Sequence, residues 1–160
     1  MLEQYGGVYF DTDVEVLRDI SPLLDDEGFI GFENEQFVNS GQVMAAVPHQ
    51  PVVQAMIEEY KKMHFTNADG SLNAVGCPHL NTDVMERFGL VRNGQEQLVA
   101  GIHVYPADYF NPLDSVTGKL TKTENTYSIH WYSMSWLPKY KQIRAKVGRI
   151  WRRITKRVKS

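Results

Sequence analysis

The hydrophobic pattern of the chain consists of short apolar runs, separated by polar turns and by two stretches with helical spacing. The apolar runs predict strands at residues 8–10, 28–32, 42–47, 102–105 and 127–130. Helical spacing predicts one helix over 52–64, after Pro51, and a second over 83–88, before Gly89. Because strands and helices alternate, the pattern indicates an α/β domain. The 8–10 run is continuously apolar, which predicts a strand buried on both faces.

The start of the chain departs from the usual order of such folds. Residues 2–5 are predicted to end a helix at Gly6 and Gly7, because glycine readily adopts the left-handed conformation that closes helices. A doubly wound sheet usually begins with a βαβ unit that holds a nucleotide. We therefore expect a mixed sheet flanked by helices, whose first βαβ unit precedes residue 1 in a longer protein.

The 160 residues fit one domain, and their formal charge of −2 hides a strong asymmetry. Residues 1–136 contain 7 basic and 19 acidic residues and carry −12, whereas 137–160 contain 10 basic residues and carry +10. The single cysteine, Cys77, excludes an internal disulfide and suits a reducing compartment. No apolar run approaches the roughly 20 residues that span a bilayer, and no signal-peptide pattern opens the sequence. These features predict a cytoplasmic protein.

Three acidic residues follow the first apolar run at alternate positions: Asp11, Asp13 and Glu15. If the strand continues, their side chains share one face, where they repel each other unless a cation lies between them. Oxygen ligands of this kind suit Mg²⁺ or Mn²⁺, which often bridge carboxylates to substrate phosphates. The alternative is a strand end whose acids point into water.

Two other interpretations of Asp11 and Asp13 remain open from the residues alone. A haloacid-dehalogenase-type phosphatase also places D-x-D-x-[TV] after an apolar strand, with the first Asp as nucleophile and the second as general acid/base. That chemistry needs a downstream lysine and a later acidic pair, for which Asp25-Asp26 and Glu58-Glu59 are poorly placed. The other possibility is a non-catalytic remnant of an enzyme, or a subunit that lends half of a metal site to a partner.

Three sequence blocks carry a family resemblance. Residues 2–15 read LEQYGGVYFDTDVE, residues 39–41 read NSG before the apolar 43–46, and 128–131 read SIHW, followed by Ser135 and Trp136. In this order they resemble the blocks of the DXD-motif sugar-transferase family. This family includes capsular-polysaccharide glycosyltransferases, outer-chain mannosyltransferases and the glucosylating domains of large toxins.

The resemblance implies a GT-A-type catalytic domain over residues 1–136. It further implies a metal-dependent transfer of a sugar from a nucleotide-sugar donor to a saccharide or lipid-linked acceptor, with retention, in polysaccharide, capsule or glycoconjugate synthesis. Asp11 and Asp13 would be the catalytic residues. The metal, Mn²⁺ or Mg²⁺, would be held by Asp13 and His130, with Asp11 contributing through water. The donor would be bound by Gly6, Gly7, Tyr9, Asp11, Asn39, Ser135 and Trp136.

The same resemblance places an Asp and an Arg of the family upstream of residue 1, so we expect base and ribose recognition by these 160 residues to be incomplete. The four histidines other than His130 match no ligand spacing and are predicted to be structural or surface residues. They are His49, His64, His79 and His103.

The basic segment 137–160 has apolar residues at steps of three and four after Pro138, which predicts an amphipathic helix. Trp151 among Lys and Arg residues suits a helix on an anionic membrane surface, to which each basic residue contributes about 1 kcal/mol. We therefore expect peripheral attachment to the inner face of the membrane. The alternatives are packing on the acidic body and nucleic-acid binding, and the second is disfavoured because the body has no basic patch that extends the segment.

Overall fold

The computed structural model describes residues 1–64, 66–67, 69–71, 73 and 75–133. The strands in this part are β1 (Gly7–Tyr9), β2 (Val14–Val16), β3 (Gly28–Asn34), β4 (Phe37–Val38), β5 (Met44–Ala46), β6 (Gln97–Val99), β7 (Ile102–Tyr105) and β8 (Ser128–His130). The helices are α1 (Leu2–Tyr5), α2 (Pro51–Lys62), α3 (Cys77–Glu86) and α4 (Ala107–Phe110). Ser135, Trp136 and the predicted basic helix lie outside the described residues.

Most strands form one mixed sheet in the order β1-β5-β3-β7-β6, with β4 added to β3. Strands β3 and β7 run parallel, with Gly28 opposite Ile102, and the connection between them includes α2 and α3. The other pairs in this sheet are antiparallel. The architecture confirms the predicted α/β class, with a mixed sheet flanked by helices, as in a GT-A-like fold.

Strand β3 is the centre of the core because both of its faces are covered. Ile30 and Phe32 pack in the cluster that includes Met56 of α2, while Phe29 packs with Phe110 of α4 in a second cluster. Residues 28–32 are all buried. Continuous burial explains the unbroken apolar run in this part of the sequence.

The prediction that the first strand is buried on both faces was wrong. Strand β1 lies at the edge of the sheet and pairs only with β5, so Val8 is half-buried and Tyr9 is 50% exposed. A three-residue apolar run is too short to distinguish an edge strand from a central one. The strand ends at Tyr9, so Asp11 lies beyond the end of this edge strand.

Helix α2 confirms the prediction over 52–64, with Pro51 in its first turn and the Gln50 side chain accepting a hydrogen bond from the amide of Val52. The second predicted helix begins earlier than expected, at Cys77, because Gly76 caps it and Pro78 fits its first turn. Strands β2, β4 and β6 and helix α4 were not predicted. None of the helices in the described ranges is long and apolar enough to cross a membrane.

A separate two-stranded sheet joins the start of the described chain to its end. Strand β2 pairs antiparallel with β8, with Val14 opposite His130 and Val16 opposite Ser128. Ile129 is buried, and the three residues of β8 are all enclosed. This pairing brings the segment after β1 to His130.

Candidate functional site

Asp11, Thr12 and Asp13 form a turn between β1 and β2. The amide of Val14 donates to the carbonyl of Asp11 over 3.1 Å, which closes the turn. The strand therefore does not continue through these residues, and the prediction of three carboxylates on one strand face was wrong. Glu15 instead accepts a hydrogen bond from the indole of Trp131, at 2.9 Å.

Asp11, Asp13 and His130 converge in space. His130 Nε2 lies 3.2 Å from Asp13 Oδ1 and 3.9 Å from Asp11 Oδ2, and one ligand atom from each residue lies within 4.8 Å of the others. The His130 side chain is only 9% exposed, whereas that of Asp11 is 38% exposed. The group is therefore open to solvent on the Asp11 side and closed behind His130.

Asp13 is held by the chain segment that follows β8. Its Oδ2 accepts a hydrogen bond from the Ser133 amide at 2.7 Å, and its carbonyl accepts one from the Trp131 amide at 3.0 Å. Burial raises the pKa of the Asp13 carboxyl, but hydrogen bonds from Ser133 and the nearby His130 outweigh burial, so this pKa lies below its usual value. Asp13 is therefore an ionised carboxylate at neutral pH, with Oδ1 directed to His130.

Asp11 is held by β1 and by the loop before β5. The Tyr9 hydroxyl donates to Asp11 Oδ1 at 2.7 Å, and the Asp11 amide donates to the Gly41 carbonyl at 2.9 Å. The hydrogen bond from the Tyr9 hydroxyl to Asp11, together with burial and the Asp11 charge, raises the pKa of Tyr9 to about 12, so the phenol keeps its proton. The second carboxylate oxygen, Oδ2, is left facing His130.

These atoms fit a divalent cation. Two carboxylate oxygens and an imidazole nitrogen point to one region, and a neutral imidazole lone pair beside two anions is unfavourable unless a proton or a cation lies between them. Carboxylates suit Mg²⁺ and Mn²⁺, and imidazole is also a ligand for transition metals. His130 Nδ1 is buried and has no hydrogen-bond partner among the described residues, so Nε2 is the ring atom whose surroundings are polar.

Asn39 lies beside Asp11. Its Oδ1 accepts a hydrogen bond from the Gly41 amide at 2.8 Å, and its Nδ2 donates to Glu33 Oε2 at 3.3 Å. A Cβ atom added to Gly41 would lie 2.6 Å from Asp11 Oδ2 and 3.0 Å from Asn39 Oδ1, so glycine permits the two side chains to approach from either side. The structure thus places Asn39 beside the acidic group, and donor binding by Asn39 stays a prediction.

Gly6 and Gly7 lie at the other end of β1 from Asp11. Gly6 closes α1 with φ of +66°, and a Cβ there would lie 2.8 Å from the Ala46 carbonyl oxygen and from the ring of Pro48. Gly7 pairs with Ala46 in the sheet. The contacts of Gly6 account for its identity structurally, and donor binding by either glycine stays a prediction.

Two neighbours of the acidic group were not predicted from the sequence. Tyr132 packs against His130 with the two rings tilted by 33° and their centroids 4.2 Å apart, and its hydroxyl lies 3.2 Å from Glu33 Oε1 and 3.0 Å from Asn111 Oδ1. Its φ of +49° is left-handed, which is rare for a bulky residue. Burial and the Glu33 charge raise the pKa of Tyr132. The only sequence signal for Glu33 was an acid at the end of an apolar run, and Tyr132 gave none.

The remaining histidines have structural or surface surroundings, as predicted. His49 pairs with Glu3 at 2.9 Å on the surface, and His79 stacks on Phe37. His103 lies between Asp26 and Glu96, at 2.9 and 2.8 Å. His64 is exposed. None of them joins the acidic group.

The comparisons with known proteins bear on this site directly. Residues 1–30, which include β1, the Asp11–Asp13 turn and β2, match the family model described as a glycosyltransferase sugar-binding region containing the DXD motif. A search of curated proteins and a search of solved structures returned no match. The match confirms, over those 30 residues, the DXD-motif family resemblance seen in the sequence. It supports a glycosyltransferase, an enzyme that needs a sugar donor and an acceptor.

Proposed function

We propose that this protein is a metal-dependent glycosyltransferase that moves a sugar from a nucleotide-sugar donor to a saccharide or lipid-linked acceptor. The observation that carries the proposal is the convergence of Asp11, Asp13 and His130. The two acids lie in the segment that matches the family model, and the pairing of β2 with β8 brings His130 to them. Two of the three residues lie in the matched segment, and the third comes from more than a hundred residues later. Capsule or other polysaccharide synthesis is the setting that the resemblance suggests.

Asp13 and His130 would hold Mn²⁺ or Mg²⁺ directly, and Asp11 would contribute directly or through a water molecule. When bound, such an ion stabilises the negative charge that develops on the departing nucleoside diphosphate. The chain prepares this site in advance, because Ser133 fixes Asp13 and Tyr9 fixes Asp11. A preorganised carboxylate pair needs little reorganisation when the donor arrives.

The donor sugar would lie next to Asn39, whose amide is already positioned beside Asp11 by Gly41 and Glu33. Ser135 and Trp136, which the resemblance places over the diphosphate, complete the proposed donor site. Retention at the anomeric carbon follows from the resemblance. A same-face displacement assisted by the leaving phosphate is compatible with a site in which no single carboxylate is marked out as a covalent nucleophile.

The proposal is tested with an Asp13→Ala variant. We expect it to lose high-affinity Mn²⁺ binding, measured by electron paramagnetic resonance, together with Mn²⁺-dependent release of nucleoside diphosphate from UDP- and GDP-sugars. The reason is that Asp13 supplies the ionised oxygen closest to His130. Asp11→Asn should also reduce release strongly. Asp25→Ala, at an exposed acid outside the group, is the matched control and should behave as wild type.

Unchanged Mn²⁺ affinity in Asp13→Ala would contradict the proposed metal site. Release of phosphate from p-nitrophenyl phosphate, without turnover of any nucleotide sugar, would favour the phosphatase instead. Within the described residues, His130 is the only histidine, lysine or arginine that lies within ion-pair distance of Asp11 or Asp13. Absence of both activities in a chain that binds Mn²⁺ would indicate a non-catalytic remnant.

A further inference from the structure

A polar cavity of about 510 Å³ lies beside Tyr132 and is distinct from the Asp11–Asp13 turn. Its walls come from the end of β3, from α4 and from the loop that follows α4. The volume falls within the range of about 300–1,000 Å³ that is usual for small-molecule sites. Among the described residues, none of those predicted from the sequence as metal or donor ligands lines it.

The cavity is rich in carboxylates. Among its described lining residues, three carry carboxylates (Glu33, Asp108 and Asp114) and one, Lys119, carries an ammonium group. An excess of negative charge disfavours a phosphate or diphosphate group, which rules against the nucleotide part of a donor. Carboxylates instead accept hydrogen bonds from the hydroxyls of a sugar, and amides and hydroxyls both accept and donate them. Hydrogen bonds to an ionised acceptor are stronger than those to a neutral one.

Several lining groups are held in place while retaining unused hydrogen-bonding capacity. Asp108 Oδ2 accepts a hydrogen bond from the Thr123 hydroxyl at 2.8 Å, and the Asn111 amide donates to the Glu33 carbonyl at 2.9 Å. The Lys119 ammonium has no hydrogen-bond or ion-pair partner among the described residues. Pro112 adds apolar surface, on which the C–H face of a sugar ring can pack.

Tyr132 connects this cavity to the acidic group. One side of the residue packs against the His130 ring, and its hydroxyl bonds to Glu33 and Asn111, both of which line the cavity. The cavity is therefore separated from the proposed metal site by one aromatic side chain. Glu33 also accepts a hydrogen bond from Asn39, beside which the donor sugar is proposed to lie.

We propose that this cavity is the acceptor subsite and binds a neutral, hydroxyl-rich saccharide. The assignment rests on the proposed glycosyltransferase function, which supplies the reason for a second sugar close to the first. Because the site is acidic, it would bind an uncharged sugar in preference to a phosphorylated or carboxylated one.

The test is direct saccharide binding to the full chain in the presence of EDTA, so that metal and donor are not involved. The probes are methyl glycosides of glucose, galactose, mannose and N-acetylglucosamine, with maltose, cellobiose and lactose, observed by saturation-transfer-difference NMR. A Thr121→Trp variant fills the cavity from an exposed position. The hydrogen bond from the Thr121 backbone amide to the Pro112 carbonyl does not involve the side chain and can persist. Val91→Trp, at an exposed position outside the cavity, is the control.

We expect at least one probe to bind wild type and Val91→Trp, and its affinity for Thr121→Trp to fall by about tenfold or more. Thr121→Trp should keep wild-type Mn²⁺ affinity and slow, acceptor-independent release of nucleoside diphosphate. Absence of binding by every probe, or equal binding to Thr121→Trp, would overturn the acceptor assignment and leave the metal site unaffected. Loss of donor hydrolysis in Thr121→Trp, with Mn²⁺ affinity retained, would also overturn it, since the cavity would then serve the donor.

Discussion

Gly41 carries the tightest steric constraint at the acidic group. A Cβ added to it would lie 2.6 Å from Asp11 Oδ2 and 3.0 Å from Asn39 Oδ1, so there is no room for a methyl group. The φ of Gly41 is not left-handed, so this glycine is required for space and not for backbone conformation. A residue outside the D-x-D motif therefore determines where the Asp11 carboxylate lies.

Gly41→Ala should weaken Mn²⁺ binding, because the added methyl displaces the Asp11 carboxylate from His130. Forced overpacking typically costs about 1–3 kcal/mol, so the expected loss of affinity is at least several-fold. The measurement is an Mn²⁺ titration followed by electron paramagnetic resonance. Gly76→Ala is the control, since its Cβ would meet only the Pro78 ring at an ordinary 3.5 Å. Equal effects of the two substitutions would show that Gly41 is not constrained by the metal group.

At this scale the sequence predicted the residues that carry charge better than those that hold them. Asp11, Asp13 and His130 were predicted and do converge, whereas Tyr132 and Glu33 were not recognised. A D-x-D motif is visible because its spacing is local. The contact of Tyr132 with Glu33 joins residues 99 positions apart through a left-handed backbone, and neither feature leaves a pattern in the sequence.

Strands and helices were predicted where the hydrophobic pattern was long or continuous. Strands β3 and β7 were recognised from apolar runs, and helix α2 from apolar residues at helical spacing over several turns. Strands β4 and β6 contain only two apolar residues each, and α4 has four residues, so neither an apolar run nor a helical period is visible there. These short elements matter, because α4 supplies Asp108 to the polar cavity.

An aromatic stack on β7 and α4 gives the fold a dependence on alkaline pH. Tyr105 is buried and stacks on His103 at 4.1 Å and on Tyr109 at 4.7 Å. Burial, together with nearby Glu96, Tyr109, Asp26 and Tyr127, raises its pKa from 10.0 to about 12. The neutral phenol is therefore favoured in the folded state, and the stability it confers is complete below pH 10 and is lost as the pH rises towards about 12.

Tyr105→Phe should reduce this alkaline loss of stability, because the substitution keeps the stacking ring and removes the ionisable hydroxyl. Urea unfolding at pH 9 and at pH 11, followed by circular dichroism, measures the difference in the free energy of unfolding. Tyr5→Phe, at a 76% exposed residue, should leave the loss unchanged. If wild type and Tyr105→Phe lose equal stability between the two pH values, Tyr105 does not contribute.

For the whole molecule, charge is the most uneven property. The body to residue 136 carries −12 and the last 24 residues carry +10, so the two parts respond in opposite ways to an anionic surface. The body alone is repelled, and binding would require the basic segment. Such binding should weaken with salt, because exposed charges are screened over about 10 Å at 0.1 M ionic strength.

Deletion of residues 139–160 should abolish co-sedimentation with vesicles that contain phosphatidylserine. The full chain should bind these vesicles at low salt, bind them several-fold less at 0.5 M NaCl and bind pure phosphatidylcholine weakly. Unchanged Mn²⁺ affinity in the deletion variant serves as the control that the body is intact. Equal vesicle binding by the two chains would show that the basic segment is not the membrane contact.

The pairing of β2 with β8 also sets an order for assembly of the site during folding. The supports of Asp11, which are Tyr9 and Gly41, lie within the first quarter of the chain, whereas Ser133 follows Asp13 by 120 residues. Closing so long a loop is entropically costly and slow, so contacts of this kind tend to form after local ones. The Asp11 half of the site can therefore be in place before His130 reaches it. Any ion that needs both halves would bind only the domain in which β2 and β8 are paired, and by binding would stabilise that pairing.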